Sequence, residues 1–305
     1  AMNCHTLADA TPILKAIKEK TGTASFPVTK DGVSQIPFVY DGFGAGLRGV
    51  GVRYDDQETK VVKIFEQQDV MDQLKIVREW FESGIINADA ANLAEGPTYK
   101  ACFLAQGWSS AAKTVWGPNM GKELVAYTYG PTILSNDSVL GSVNFVSVNS
   151  EHPEKALAFL NLMNTDSKVR DAFFYGLEGD NFDYTADGRV HKNNSNWGMA
   201  GYTQGTFFAV TPTDDVEFNQ WDEVKELNEK AEPSVLLGFS FDTSKVEDQI
   251  ANCKTIWDRY HPELLTGSVD PETTVKTMYE EMEAEGLNDI ITEAQAQIDA
   301  WKAAQ

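Results

Sequence analysis

Three stretches near the end of the chain bring an apolar residue back at helical spacing, each bounded by residues that start or stop helices. The first runs from about Ser244, with Val246, Ile250, Cys253 and Trp257 on one face and Ser244 placed to form a capping box with Glu247. The second opens at Asp270-Pro271 and stops at Gly286; the third, 288–303, carries Ile291, Ala294, Ile298 and Trp301. What precedes them then sets the fold class.

Upstream, strand-like and helix-like stretches alternate. Residues 6–20 read as a helix that Gly22 ends, and "IPFVY" (36–40), "GVGVRY" (49–54) and "VVKIF" (61–65) read as strands. Val70, Leu74, Val77 and Phe81 then mark an amphipathic helix stopped by Gly84. "YKACFLAQG" (99–107), "LVAYTY" (124–129) and "SVNFVSV" (142–148) read as further strands, and 152–163 and 167–174 as helices, the first with Pro153 in its opening turn. "DYTADGRVHK" (183–192) carries an Asp-Gly hairpin signal. The alternation predicts an α/β architecture with added helices at the end.

The charge balance narrows the partners. A formal net charge of −21, split as −3 over residues 1–150 and −18 over 151–305, opposes phosphate-tracking nucleic-acid binding and an anionic membrane face. No apolar run approaches the ~20 residues a bilayer-spanning helix needs. Cys4, Cys102 and Cys253 are widely spaced, no CxxC occurs and the four histidines are scattered, so neither a disulfide framework nor a metal site is expected.

Several catalytic patterns fail on their context. Gly44-Ala-Gly46-Leu-Arg-Gly49 matches GxGxxG, but a strand rather than a helix follows, so a loop reading is favoured over a dinucleotide site. Gly107-Trp-Ser-Ser-Ala111 resembles a nucleophile elbow without its last glycine or an evident histidine partner. Asp183 to Asn194 resembles a calcium loop that has Asn where a bidentate Glu is needed. Glu178 and Asp180 sit in a glycine-containing loop and leave a carboxylate pair for glycan hydrolysis open.

What remains is a set of aromatic rings in polar loops. "QGWSSAAKTVWGPNMG" (106–121) places Trp108 and Trp116 among small and polar residues, and "NNSNWGMAGYTQGTFF" (193–208) does the same with Trp197, Tyr202, Phe207 and Phe208. A sugar ring has an apolar C–H face and a hydroxyl rim, so an aromatic plane beside fixed polar groups suits it. The alternative is that these rings pack beneath their own loops. Trp108, Trp197 and Tyr202 are the expected stacking residues, with Trp116 a further candidate. Gln106, Asn119, Glu178, Asn181 and Gln204 are the expected hydrogen-bonding partners.

From residue 141, "GSVNFVSVNSEHPEKALAFLNLMNTDSKVRDAF" resembles a segment common in bacterial extracellular solute-binding proteins of ABC importers. The resemblance extends through "YGLEGDNFDY" and "DGRVHK" into "VLLGFSFDTSKVEDQIANCKTIWDRYHPELLTGSVDPE" and the closing "QAQIDAW". That tail is similar to lipoprotein-type members with a C-terminal domain of unknown function, relatives of the family-1 carbohydrate-binding group. The opening "TLADATPILKAIKEKTG" resembles the helix that begins the second lobe of that group.

The resemblance implies a periplasmic-binding-protein-like (class II) α/β two-lobe fold, N-terminally truncated and helix-rich at its C-terminus. Residues 3–135 and 234–305 would form lobe two and 141–232 the returning part of lobe one. The first βαβ portion of lobe one and the lipobox signal that family members carry would lie outside this chain. The implied function is capture of a solute, expected to be an oligosaccharide, by hinge closure at the outer face of the cytoplasmic membrane. Delivery would be to ABC permease subunits, with no catalysis and no cofactor, and with the membrane reached only through the missing lipid anchor. A carboxylate-pair hydrolase, a binder of peptide or another solute, and a plain interaction module stay open as alternatives.

Overall fold

The computed structural model describes residues 4–44, 49–97, 100–199 and 201–305. The chain divides into two compact units: unit one holds Ala1–Gly107, Tyr127–Asp137 and Glu232–Gln305, and unit two holds Trp108–Ala126 and Ser138–Ala231. The stretch 108–126, placed with lobe two by its sequence position, packs with the 138–231 segment instead.

Unit one opens with helix α1 (Leu7–Thr21). Thr6 caps it by accepting from the Asp9 N–H while the Asp9 carboxylate accepts from the Thr6 N–H, and Gly22 ends it in the left-handed conformation. Strands β1 (Tyr40–Asp41), β2 (Val50–Arg53) and β3 (Val62–Lys63) form an antiparallel sheet with β2 central. The expected strand 36–40 is mostly consecutive turns: Ile36, Phe38 and Tyr40 donate to Val33, Gln35 and Pro37. Pro37 has no N–H to give a ladder.

Helix α2 (Gln68–Glu82) buries Val70, Leu74, Val77 and Trp80, while Phe81 is only half-buried. Trp80 ranks as the better anchor because it packs 5.1 Å from Phe26 and its indole N–H reaches the Thr11 hydroxyl at 2.8 Å.

After α2 the expected strand 99–107 is irregular. Tyr99 lies outside the described residues, and Cys102 donates to the Ser25 carbonyl at 3.1 Å as a single tether. The stretches 124–129 and 142–148 also join no sheet among the described residues; apolarity alone suggested strands there. A single π turn, Ala112–Trp116, and helix α3 (Gly117–Met120) follow the first tryptophan. Unit one also contains a short parallel pair, β4 (Ile133–Leu134) with β7 (Glu232–Pro233), that the sequence did not announce.

Three helices complete unit one: α8 (Glu247–Thr266), α9 (Pro271–Ala284) and α10 (Leu287–Ala303). The capping box expected at Ser244 does not form; the Ser244 N–H goes to the Asp242 carboxylate and the helix starts after Val246. Asp270 does cap α9, accepting from the Thr273 N–H at 2.8 Å. These helices bury Ile250, Cys253, Trp257, Tyr279 and Ile298 against the sheet side, with Ile291 and Trp301 half-buried.

Unit two contains α5 (Pro153–Thr165), α6 (Ser167–Tyr175), the hairpin β5 (Phe182–Tyr184) and β6 (Val190–Lys192), and α7 (Gln220–Glu229). A further short helix, α4 (Asn136–Val139), lies at the boundary of the units. The hairpin read from the Asp-Gly signal is present, closed by a turn through Gly188 at φ 81°. The buried core of unit two is small: Tyr175, Phe182, Val190, Val210 and Trp221, with Trp108, Phe174, Tyr184, Phe207 and Val224 packed on it.

Candidate carbohydrate-contacting surface

The core of unit two is aromatic and sits directly beneath the candidate loops. Phe207 stacks on Trp221 with centroids 4.6 Å apart, and Trp108 lies 5.9 and 5.7 Å from these two rings. Trp108 is therefore half-buried and braced by other rings, and its indole nitrogen is buried with no partner among the described residues.

A carboxylate fixes the loop after it. Glu223, on α7, accepts from the N–H groups of Ser109 and Ser110 at 2.9 Å each and from both hydroxyls. Burial pushes the Glu223 carboxyl up, but the two serines outweigh it and hold the carboxyl below its ordinary value. An anion at the opening of the helical stretch 111–120 also meets the positive end of its dipole. Both serine hydroxyls are thus donated to a carboxylate, which removes the nucleophile reading of "GWSSA".

Beside this clamp, Ser109, Ser110, Ala112, Lys113, Leu124, Val125, Ala126 and Phe218 line an open concavity of ≈ 440 Å³. Lys113 supplies a cation, the serines a polar edge and Phe218 an exposed ring.

The second aromatic loop is held by a buried arginine. Asp166 caps α6 through the Val169 N–H, which sets Arg170 and Asp171 on its inner face, and both are fully buried. Arg170 donates to the carbonyls of Thr206 (2.9 Å), Gly201 (2.5 Å) and Gly205 (3.3 Å), with its guanidinium 5.6 Å from the Phe174 ring centroid. Asp171 accepts from the Tyr184 hydroxyl and from the N–H and hydroxyl of Thr211. Asn164 adds a bond to the Thr206 N–H at 2.9 Å. A Cβ at Gly201 would stand 2.3 Å from Phe174, so only glycine allows this close approach.

The loop so fixed presents Tyr202 and Gln204 to solvent, Tyr202 at 66% exposure, beside exposed Phe208. Trp197 is 48% exposed while its indole N–H is anchored on the Phe173 carbonyl at 3.0 Å. The bond at the Trp197 indole and the arginine that holds the backbone beside Tyr202 lower the ordering entropy that stacking costs.

The other candidates divide. Asn181 is buried and structural, accepting from the Leu177 N–H and donating to Asn194. Glu178 and Asp180 are exposed in the turn before β5, and Asn119 is exposed at the end of α3. Trp116 is half-buried in the π turn, and Gln106 lies in unit one, exposed. Arg170, Asp171 and Glu223 were missed. The legible signal was a charged pair in "SKVRDAFF", four residues before Phe174 and Tyr175 and so on their face. Among the described residues no group of His, Cys, Asp and Glu could hold a metal.

Comparison with known proteins gives the context of this surface. Residues 235–303 match the family described as "Domain of unknown function (DUF3502)". Over 95% of its length the chain is 27% identical to a "Carbohydrate ABC transporter substrate-binding protein" of Streptococcus pneumoniae, covering 61% of that protein. It thus spans about three fifths of the curated relative it matches.

Crystal structures of the N-glycan transport solute binding protein NgtS from Streptococcus pneumoniae superpose with TM-scores of 0.87, and 0.83 for the complex with Man5GlcNAc. They are 23% and 22% identical and cover 98% and 100% of this chain against 68% and 69% of theirs. An "HMO binding ABC-transporter associated Solute Binding Protein" from Bifidobacterium longum infantis superposes at 0.54, with 14% identity over 97% of this chain and 70% of its own. The fold is that of the periplasmic-binding-protein-like solute-binding proteins, and the relatives are binding proteins rather than enzymes.

Proposed function

We propose that this chain is part of the extracellular solute-binding component of an ABC importer and that its solute is an oligosaccharide. The observation that carries the reading is the pair of exposed rings on one loop rich in Asn, Gly, Thr and Gln: Trp197, anchored through its indole N–H, and Tyr202, next to Gly201 whose carbonyl Arg170 holds. Such a loop offers C–H stacking faces and hydroxyl-matching dipoles and no charge of its own. Capture would proceed by hinge closure, a shift toward a closed population driven by the ligand's preference for it, followed by hand-over to permease subunits. Lipid anchoring of the complete protein at the outer face of the membrane belongs to the same reading.

The relatives supply the first ligands to try, since one is a carbohydrate transporter component and another is described in complex with Man5GlcNAc. Isothermal titration with mannose- and GlcNAc-containing oligosaccharides is the test, run on the complete polypeptide. Binding is expected for the parent and a loss of roughly 5- to 30-fold for Trp197→Ala and Tyr202→Ala, which corresponds to about 1–2 kcal/mol for an aromatic contact residue. Binding of a peptide panel and of no sugar would replace the solute class, and release of shorter sugars would replace the function.

A further inference from the structure

The concavity beside the Glu223 clamp holds an unanswered charge. Lys113 is the only charged residue of the eight that line it, and its ammonium pairs with no carboxylate among the described residues. Partners were not scarce, since unit two carries sixteen acidic residues against nine basic ones. The backbone beneath is fixed: the Ser110 carbonyl accepts from the N–H groups of Lys113 and Thr114 at 3.0 and 3.1 Å and from the Thr114 hydroxyl at 3.1 Å. The Lys113 side chain is exposed on the π turn Ala112–Trp116, a helix irregularity that recurs at functional sites.

The clamp decides what the other walls can offer. Both serine hydroxyls donate to Glu223, so toward the concavity the Ser109 and Ser110 oxygens can only accept. Lys113, with three donors and no acceptor, is the one lining side chain left to give a hydrogen bond. A bond of 3.0 Å from the Lys122 N–H to the Gly117 carbonyl turns the chain back, and Leu124, Val125 and Ala126 then form an apolar wall with the exposed Phe218 ring. A complementary ligand therefore brings hydroxyl donors for the serines, a C–H face for Phe218 and a negative acceptor for Lys113. A neutral sugar supplies the first two, and a sugar with an acid group supplies all three.

We propose that this concavity is a subsite for an acidic sugar unit, so that the preferred solute is an oligosaccharide bearing one carboxylate or sulfate group. The proposal rests on the solute being an oligosaccharide and narrows that class by charge. The acidic surface of the unit repels an anion elsewhere, which leaves the place beside Lys113 as the favourable one. Apolar walls strengthen the attraction by keeping water from one side of the pair. An ammonium is a compact point charge without the fork that matches a carboxylate, so Lys113 reads the charge of the acid group and not its shape.

The test is isothermal titration with mannose- and GlcNAc-containing oligosaccharides in three forms: neutral, ending in a glucuronic acid unit, or carrying one sulfate ester. An acidic form is expected to bind about 5-fold more tightly than the neutral one at low ionic strength, with the gap closing as salt is added. Lys113→Gln is expected to remove that preference. Lys155→Gln, which deletes the same charge from α5, is expected to keep it, so a general effect of net charge is separated from the subsite. A preference for only one of the two acids would assign the subsite to that acid. Equal binding of all three forms, or a preference that survives Lys113→Gln, would overturn the subsite and leave the oligosaccharide reading standing. Binding of none of the three would overturn both.

Discussion

Arg170 holds a buried positive charge against three carbonyl oxygens, while the carboxylate next to it in sequence is engaged by Tyr184 and Thr211. Desolvation lowers its pKa, the expected sign for a buried cation. A planar guanidinium can reach carbonyls on both sides of a loop, whereas an ammonium cannot. Arg170→Met is therefore expected to cost about 3 kcal/mol, measured as a reduced urea midpoint, and to loosen the loop carrying Tyr202.

Glu223 acts at the same scale with a different readout. Its folded carboxyl titrates below the ordinary glutamate value, so its contribution is complete above that value and is lost as pH falls through the lower, folded one. Tryptophan fluorescence at Trp108 is expected to report that loss on acidification, and Glu223→Gln, which cannot ionise, is expected to abolish the pH dependence.

Among the elements, glycine governs how closely two of them approach. Gly32, at φ 57°, lets the turn after Phe26 press on the end of α8, where an added Cβ would lie 2.3 Å from the Leu265 carbonyl. Gly267 does the same for α8 against α2, with a would-be Cβ 2.4 Å from the Val77 carbonyl at φ 74°. Gly267→Ala is expected to lower the melting temperature by several degrees, since both strain and clash oppose it, for about 2 kcal/mol.

Helices were the readable elements because period 3.6 and their caps are local: α1, α2, α5, α6, α9 and α10 stand close to where spacing placed them. Strands were readable where a local turn joins them, as in β2–β3 and β5–β6, but not where pairing is settled by residues far away. Residues 124–129 and 142–148 have strand composition and no strand partner among the described residues, while β4 and β7 pair across a long interval with little composition to mark them. The site was legible as aromatics in polar loops. What anchors them, Arg170 and Glu223, was hidden because each acts on backbone atoms that sequence does not display.

Across the whole molecule the two units differ in how much core sustains them. Unit one joins helices and sheet around an extensive cluster that includes Phe65, Trp80, Trp257 and Tyr279, whereas unit two relies on a handful of rings and buried polar bonds. Hydrogen exchange is expected to show unit two opening at lower free energy than unit one, with β5 and β6 exchanging faster than α2 and α8.

The Tyr279 hydroxyl, which donates to the Gly49 carbonyl and accepts from the Phe65 N–H at 3.1 Å, has a consequence for how the protein is made. It closes a core by joining residues 230 and 214 positions apart in the chain. On the ribosome, Val50, Val52, Ile64 and Phe65 emerge early and wait uncovered until α9 has been translated. Until α9 emerges the nascent chain carries these residues without the Tyr279 that completes their burial, a partly exposed state of the kind that holdase chaperones recognise.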